Sequence, residues 1–231
     1  MARKKTLSYL MEQSRLAADK VGSGFIQDDE LKAYINSSAC ELYDLLVSAY
    51  GNDYFRASYA FSTSGNTSAY DLPADFYKMI GLDYIIGSQE ALTLKPFQFN
   101  ERNRYRQGTY WNAITGAAGP RYNIANDQII FMPVPDGVYS MELWYVPACP
   151  VLSASGDEFD GINGWEEFII VDSAIKMLGK EESDTSLLER RRNALVKRIE
   201  EMKENRDAGL SFRVSDVNHF DGYTDGYFRG E

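Results

Sequence analysis

"IIFMPVPDGVYSMELWYV", residues 129–146, decides the fold. Two apolar stretches flank a Pro-rich corner that ends in Asp136 and Gly137, so the segment reads as a hairpin. From residue 138 onward Tyr139, Met141, Leu143 and Tyr145 point one way, and Ser140, Glu142 and Trp144 the other. That alternation belongs to a sheet with one buried face. Pro133 and Pro135 cannot donate ladder hydrogen bonds. They end the first strand, stiffen the approach to the turn and blunt an edge that could pair indiscriminately. Two roles are open for this corner: a docking feature held outward, with Asp136 at its tip, or a rigid turn inside a sandwich.

Reading outward, residues 121–124, 128–132 and 138–146 form three antiparallel strands, with "AND" and "PDG" as turns. Residues 77–86 are a further strand, and "DYFRASYAFSTSGNTSAYDLP" alternates before loosening into Gly, Ser and Asn. "PFQFNERNRYRQGTYWN" starts like a short helix at Pro96 and then turns polar and aromatic.

Both flanks are helical. Residues 6–20 carry Leu7, Leu10, Met11 and Leu16 at near-helical spacing, with Thr6 as a cap and Gly22 and Gly24 as breakers. Residues 27–51 carry one apolar stripe: Leu31, Tyr34, Ile35, Ser38, Leu42, Leu45, Leu46 and Ala49. Acids open this helix, where its dipole favours them, and Gly51 closes it; its length is roughly 35 Å. After Gly164, Trp165, Phe168, Ile169, Ile175 and Leu178 share a face. A last helix carries Leu188, Leu195, Ile199 and Met202 beneath charges of both signs, which are either a solvated face with local ion pairs or a docking face. The expected fold class is α+β. An antiparallel helical bundle forms from residues 1–51 and 164–207, a β-rich region is inserted at 52–163, and an extended tail runs over 208–231. That tail spaces Phe212, Phe220, Tyr223, Tyr227 and Phe228 with Gly and Asp and has no helical period. It cannot build its own core, and its aromatics favour folding against a partner over a frayed end.

A net charge of −10 repels a polyphosphate at long range, which argues against a sequence-reading DNA-binding domain. A chain that tolerates passing DNA is compatible with it. Sixteen Tyr and twelve Phe suit surfaces that must be apolar and still wet, such as subunit interfaces. Cys40 and Cys149 read as small buried hydrophobes in a reducing compartment, and no CxxC or Cys/His cluster accompanies them. "MARKKTLSYLMEQSRL" lacks the apolar run of a signal peptide, and no stretch approaches the ~20 apolar residues of a membrane span. A soluble protein without membrane contact is expected.

Catalytic candidates are few. The single His, His219, lies in the tail and reads as a contact or solvent-exposed residue. No G-x-S-x-G or Walker loop is present. "SGDEFDGINGWEE" gathers Asp157, Glu158, Asp160 and Asn163, as a loop capping the helix at Trp165 or as a weak cation site off the EF-hand spacing. "ERNRYRQGTYW" interleaves Arg102, Arg104 and Arg106 with Tyr105, Tyr110 and Trp111. A subunit contact is the preferred role, beside nucleic-acid contact or an ordinary surface loop. No cofactor is expected.

The order of segments resembles a known family. "YDLPADFYKMIGLDYI" gives an L-P-x-D-F step into a strand (Leu72, Pro73, Asp75, Phe76). "DQIIFMPVPDGVYSMELWYVP" gives a strand ending in P-x-P (Phe131, Pro133, Pro135, Asp136), and a helix pair follows from Trp165. This resembles the head-to-tail adaptors of tailed bacteriophages, the group of tail tubular protein A and gp4-like head-completion proteins, over roughly residues 7–206. The resemblance implies a ring of twelve copies beneath the portal that extends the DNA channel and offers a platform to the downstream tail or nozzle protein. Packaged double-stranded DNA would pass through the lumen without sequence-specific binding. It implies a virion protein of the head–tail junction, assembled in the host cytoplasm, with no enzymatic role. By analogy the tail, with Phe212, Arg213, His219, Phe220, Tyr223, Tyr227 and Phe228, would grip the portal. Two alternatives stand beside it: a virion-associated carboxylate-based cell-wall glycosidase, and a carbohydrate- or receptor-binding module.

Overall fold

The computed structural model describes residues 4–22, 24–52, 54–87, 90–105, 111, 119–161 and 164–202. It is mixed α+β. A short strand β1 (Lys4–Thr6) leads into helix α1 (Leu7–Ala17), whose first turn is capped by the Thr6 hydroxyl accepting from the Tyr9 amide at 3.3 Å. Helix α2 (Asp28–Tyr50) opens on Asp28, Asp29 and Glu30 and ends at Gly51, whose φ of 82° favours glycine. Helices α3 (Glu166–Lys180) and α4 (Ser186–Met202) close the described chain. Asp184 starts α4 by accepting from the Ser186 amide at 3.0 Å.

The four helices draw on one core. Leu7 and Leu10 of α1, Leu31, Ile35, Leu42 and Leu46 of α2, Phe168, Ile169 and Met177 of α3, and Leu195 and Ile199 of α4 are its main members. Two residues of the predicted stripes lie outside it: Leu16 is 51% exposed and Met202 38%. Both sit at the last turn of their helices, where no other element among the described residues covers them.

Strands β2 (Ala57–Ser62), β3 (Ala69–Asp71), β4 (Phe76–Ile85), β5 (Ala91–Thr93), β6 (Lys95–Pro96), β7 (Arg121–Ala125), β8 (Gln128–Met132) and β9 (Ser140–Pro147) make two four-stranded sheets. Their orders are β2-β9-β4-β5 and β3-β8-β7-β6. The pairs are antiparallel except β6 with β7. Leu82, Met141, Leu143 and Tyr145 of one sheet share a core with Tyr122, Ile129 and Phe131 of the other. A small ribbon pairs β1 with β10 (Glu158–Asp160).

Residues 129–146 therefore hold two strands that are not a hairpin. β8 and β9 lie in different sheets, and the Pro133–Pro135 corner carries the chain from one to the other. The corner is pinned inward. Pro135 is buried, and its carbonyl accepts from the Asn66 amide at 2.8 Å. Buried Thr63 donates to the Gly137 carbonyl at 3.1 Å and accepts from the Tyr139 amide at 2.9 Å. Asp136 is engaged by the Tyr139 hydroxyl. Two prolines suit a chain that leaves one ladder and must not rejoin it. The corner is thus a rigid turn between the two sheets, and it still presents Val134, Asp136 and Val138 to the outside. The expected hairpin survives one step earlier, where β7 and β8 meet at Asn126, whose φ is 56°. Pro96 also differs from expectation: it ends β6, and the helical turn that follows it is a 3-10 turn at Phe99–Glu101.

Helices and sheets meet at Tyr43, Val47 and Val146, with Phe55, Ile80 and Cys149 packed around them. The Tyr43 hydroxyl donates to the Pro147 carbonyl at 2.6 Å, which fixes the end of β9 against α2.

Candidate functional site

Two constellations of polar side chains stand out, one at the edge of the sandwich and one inside the helices. The first is built on the 3-10 turn after β6. Phe97 is buried and anchors the segment, while Phe99, two residues on, is 65% exposed. Arg102 lies over the Phe99 ring at 4.5 Å and donates to the Phe99 carbonyl at 3.1 Å. Tyr105 rests 6.1 Å from Phe97, with the Arg121 guanidinium over its ring at 4.7 Å and that of Arg104 at 5.9 Å. Arg104 makes only a loose pair with Glu101, at 3.9 Å. Arg102, Arg104 and Arg121 thus surround two rings on a chain whose net charge is −10. Cations held flat on aromatic faces keep their outer N–H groups free for a carboxylate or a phosphate. Arg121 was not among the sequence candidates. It begins β7, and only the parallel pairing of β6 with β7 brings it beside Tyr105.

Trp111 leaves this set of surface candidates. It is 2% exposed, stacks on Tyr139 at 4.8 Å and donates its indole N–H to the Pro133 carbonyl at 3.0 Å. Its large apolar area serves the sandwich core, and its one donor finds a partner at the Pro-rich corner. Arg106 and Tyr110 lie outside the described residues, as do Phe212, Arg213, His219, Phe220, Tyr223, Tyr227 and Phe228.

The second constellation was missed by sequence reasoning. Asp172 of α3 is 1% exposed and reaches three helices at once. It accepts from Ser38 of α2 at 2.7 Å, pairs with Lys176 one turn along at 2.8 Å, and takes Arg192 of α4 at 2.8 Å. Ser173 reaches Ser38 at 3.3 Å, and Lys176 extends the network to Ser37 and Glu41. Burial pushes the Asp172 carboxyl upward. The hydrogen bonds from Lys176, Ser38 and Arg192 outweigh it, so the group stays below its ordinary value and ionised. Periodicity could mark Asp172 only as a polar residue on an apolar helix face. Two of its three partners, Ser38 and Arg192, come from other helices.

The acidic loop does not cap the helix at Trp165, whose N-terminus has no side-chain cap; its carboxylate closes a turn within the loop. Asp157 accepts from the amides of Ser153 and Ala154, each at 2.8 Å, and these bonds lower its pKa. Glu158 and Asp160 belong to β10, and Asn163 lies outside the described residues. Gly161 permits the entry to α3, since a Cβ there would stand 2.6 Å from the Glu166 nitrogen. Among the described residues no three metal-ligating side chains converge, and no helix is long and apolar enough to cross a membrane.

A family model described as SU10 adaptor protein matches residues 6–212, which takes in all four helices and both sheets. The chain belongs to the SU10 adaptor family. It is a phage adaptor protein, a structural component of the virion. No curated protein matches the chain. The SU10 adaptor match runs through the Arg–Tyr edge and the Asp172 network and ends at Phe212, inside the segment for which the sequence resemblance had no counterpart. The match therefore covers both constellations but only the start of the tail.

Proposed function

We propose that this chain is the head-to-tail adaptor of a tailed phage, assembled as a ring of about twelve copies beneath the portal, a copy number taken from the family resemblance because symmetric rings close on heterologous interfaces. The observation that carries this reading is the family match over residues 6–212. In it, residues 1–51 and 164–207 act as one helical bundle, and residues 52–163 are an inserted β region that faces the downstream tail or nozzle protein. This reading groups the chain with the tail tubular protein A and gp4-like adaptors. The ring extends the DNA channel, and an acidic wall lets double-stranded DNA slide past without condensing onto it. Residues 208–231 grip the portal through their aromatics, Arg213 and His219. Arg102, Arg104, Tyr105, Arg106 and Tyr110 face a neighbouring copy or the tail. Assembly takes place in the host cytoplasm and the product resides at the head–tail junction.

The glycosidase and the carbohydrate-binding module have no observation that favours them. The test is electron microscopy of the purified chain alone and with its portal. Closed rings, or rings that appear only on the portal, are expected. A monomer indifferent to the portal would sink the proposal. Removal of residues 208–231 should weaken portal docking and leave the melting temperature nearly unchanged.

A further inference from the structure

The two cysteines are far apart in sequence, and reading them as buried hydrophobes does not describe them. Cys40 is exposed on α2, Cys149 is half-buried beyond the end of β9, and both are free thiols. After β9 the chain runs back along α2 and is tied to it at two points. The Tyr43 hydroxyl holds the Pro147 carbonyl at 2.6 Å. The Asn36 side chain brackets Leu152, donating to its carbonyl at 2.9 Å and accepting from its amide at 2.8 Å.

These ties set the register between the two cysteines. Asn36, Cys40 and Tyr43 are spaced by four and then three residues, so they share one face of α2. Cys149 stands two of the five steps from Pro147 to Leu152. The same fraction of the way from Tyr43 back toward Asn36 falls at residue 40. Cys40 is a near neighbour that helps to raise the pKa of the Cys149 thiol, and the Cys149 thiol itself donates to the Pro150 carbonyl at 3.7 Å. Cys149 also packs against both the helical core and the cluster that joins helices to sheets. Two sulfurs alone fall short of the ligand set of a structural metal, and no third metal-ligating group joins them among the described residues.

We propose that Cys40 and Cys149 are a disulfide-forming pair, a modification site that ties the strand leaving the sandwich to helix α2 when the chain meets a disulfide oxidant. With oxidised glutathione the steps balance. The Cys40 thiolate attacks one glutathione sulfur and expels a glutathione thiolate. The Cys149 thiol then gives up its proton, its sulfur attacks the Cys40 sulfur, and the second glutathione thiolate leaves. Two protein thiols are oxidised and one glutathione disulfide is reduced to two thiols. Cys40 is the entering sulfur because it is exposed, whereas burial and then Cys40 itself push the Cys149 thiol above its ordinary range. The bond would close a long loop across both halves of the fold, the arrangement in which a cross-link restrains the unfolded chain most. The inference stands apart from the adaptor reading.

The test treats the full-length chain with oxidised glutathione at mildly alkaline pH, followed by intact mass, a non-reducing peptide map and thermal unfolding. The expected product has lost about 2 Da, the two thiol hydrogens, and yields a cross-linked peptide containing Cys40 and Cys149. Its melting temperature should rise on the order of 10 °C and return on reduction. Cys40→Ser and Cys149→Ser, each checked for folding by circular dichroism, should show neither the mass loss nor the rise. A glutathione adduct that stops at Cys40, a disulfide between two chains, unreacted thiols, or a cross-link without a rise in melting temperature would each overturn the proposal.

Discussion

The helical core and the sandwich core of this protein are held by different chemistry. The helices pack Leu, Ile, Val and Ala side chains, with a few rings and Asp172, Ser38 and Ser173 sealed among them. The sandwich packs rings: Trp111, Tyr122, Phe131 and Tyr145, with Phe61, Tyr70, Tyr84 and Tyr139 around them. Aliphatic ridges slide past one another at small cost, so apolar burial alone sets helix register weakly. A carboxylate that must find Ser38, Lys176 and Arg192 together permits one register only. Rings carry their own locks, because a buried Tyr or Trp needs a partner for its polar end. Tyr70 holds Ser64 and Thr67, Tyr145 holds Asp75, Tyr139 holds Asp136, and Trp111 holds Pro133. The same side chains that fill this core thus also fix its loops.

The most disruptive way to probe the contrast is Phe131→Ala. Phe131 is fully buried between the sheets and touches the rings of Phe61, Tyr70 and Trp111. The loss should be about 4 kcal/mol in urea unfolding. A single retained transition would show that Tyr43 and Val146 couple the two cores into one cooperative unit. Separate transitions would show them to be independent.

Asp172→Ala should cost about 3 kcal/mol, near the low end for a broken buried pair, because Arg192 and Lys176 keep partial access to water. The effect should depend on pH with a definite sign. The folded carboxyl lies below its ordinary value, so its contribution is present above the unfolded value of about 4 and fades as pH falls through the folded one. Asp172→Asn should accordingly flatten stability between neutral pH and acid relative to the parent. An unchanged acid profile would mean that the network does not select helix register electrostatically.

Thr6→Ala removes the cap of α1 without touching either core and should cost about 1 kcal/mol, read by thermal melting. The smallest change in stability, within about 0.5 kcal/mol, is expected for Arg104→Ala, whose ion pair with Glu101 is long and exposed. Ring formation should nevertheless weaken in that variant. Normal rings would assign the Arg–Tyr edge to the ordinary surface.

Much of the fold was legible in the sequence because local chemistry wrote it there. Thr6, the acids at 28–30 and Gly51 bound their helices as caps and breakers do. Alternation along 138–146 correctly put Met141, Leu143 and Tyr145 in the core, though the strand itself runs Ser140–Pro147. The candidate site was read less well. Arg102, Arg104 and Tyr105 do cluster, but Trp111, from the same stretch, turned inward. Spacing along a loop does not encode which way a ring points. Arg121 and Asp172 went unnoticed because their partners lie on elements distant in the chain.

The sequence by itself determined the four helices and the longer strands, and which face of each is apolar. Those properties depend on neighbours within a turn or two. Only the tertiary structure decided that the strands on either side of Pro133 part into different sheets, that Asp172 gathers three helices, and that Asn36 of α2 brackets Leu152. Each of those is a contact between distant residues. Its energy depends on how whole faces pack, and no local pattern carries that information.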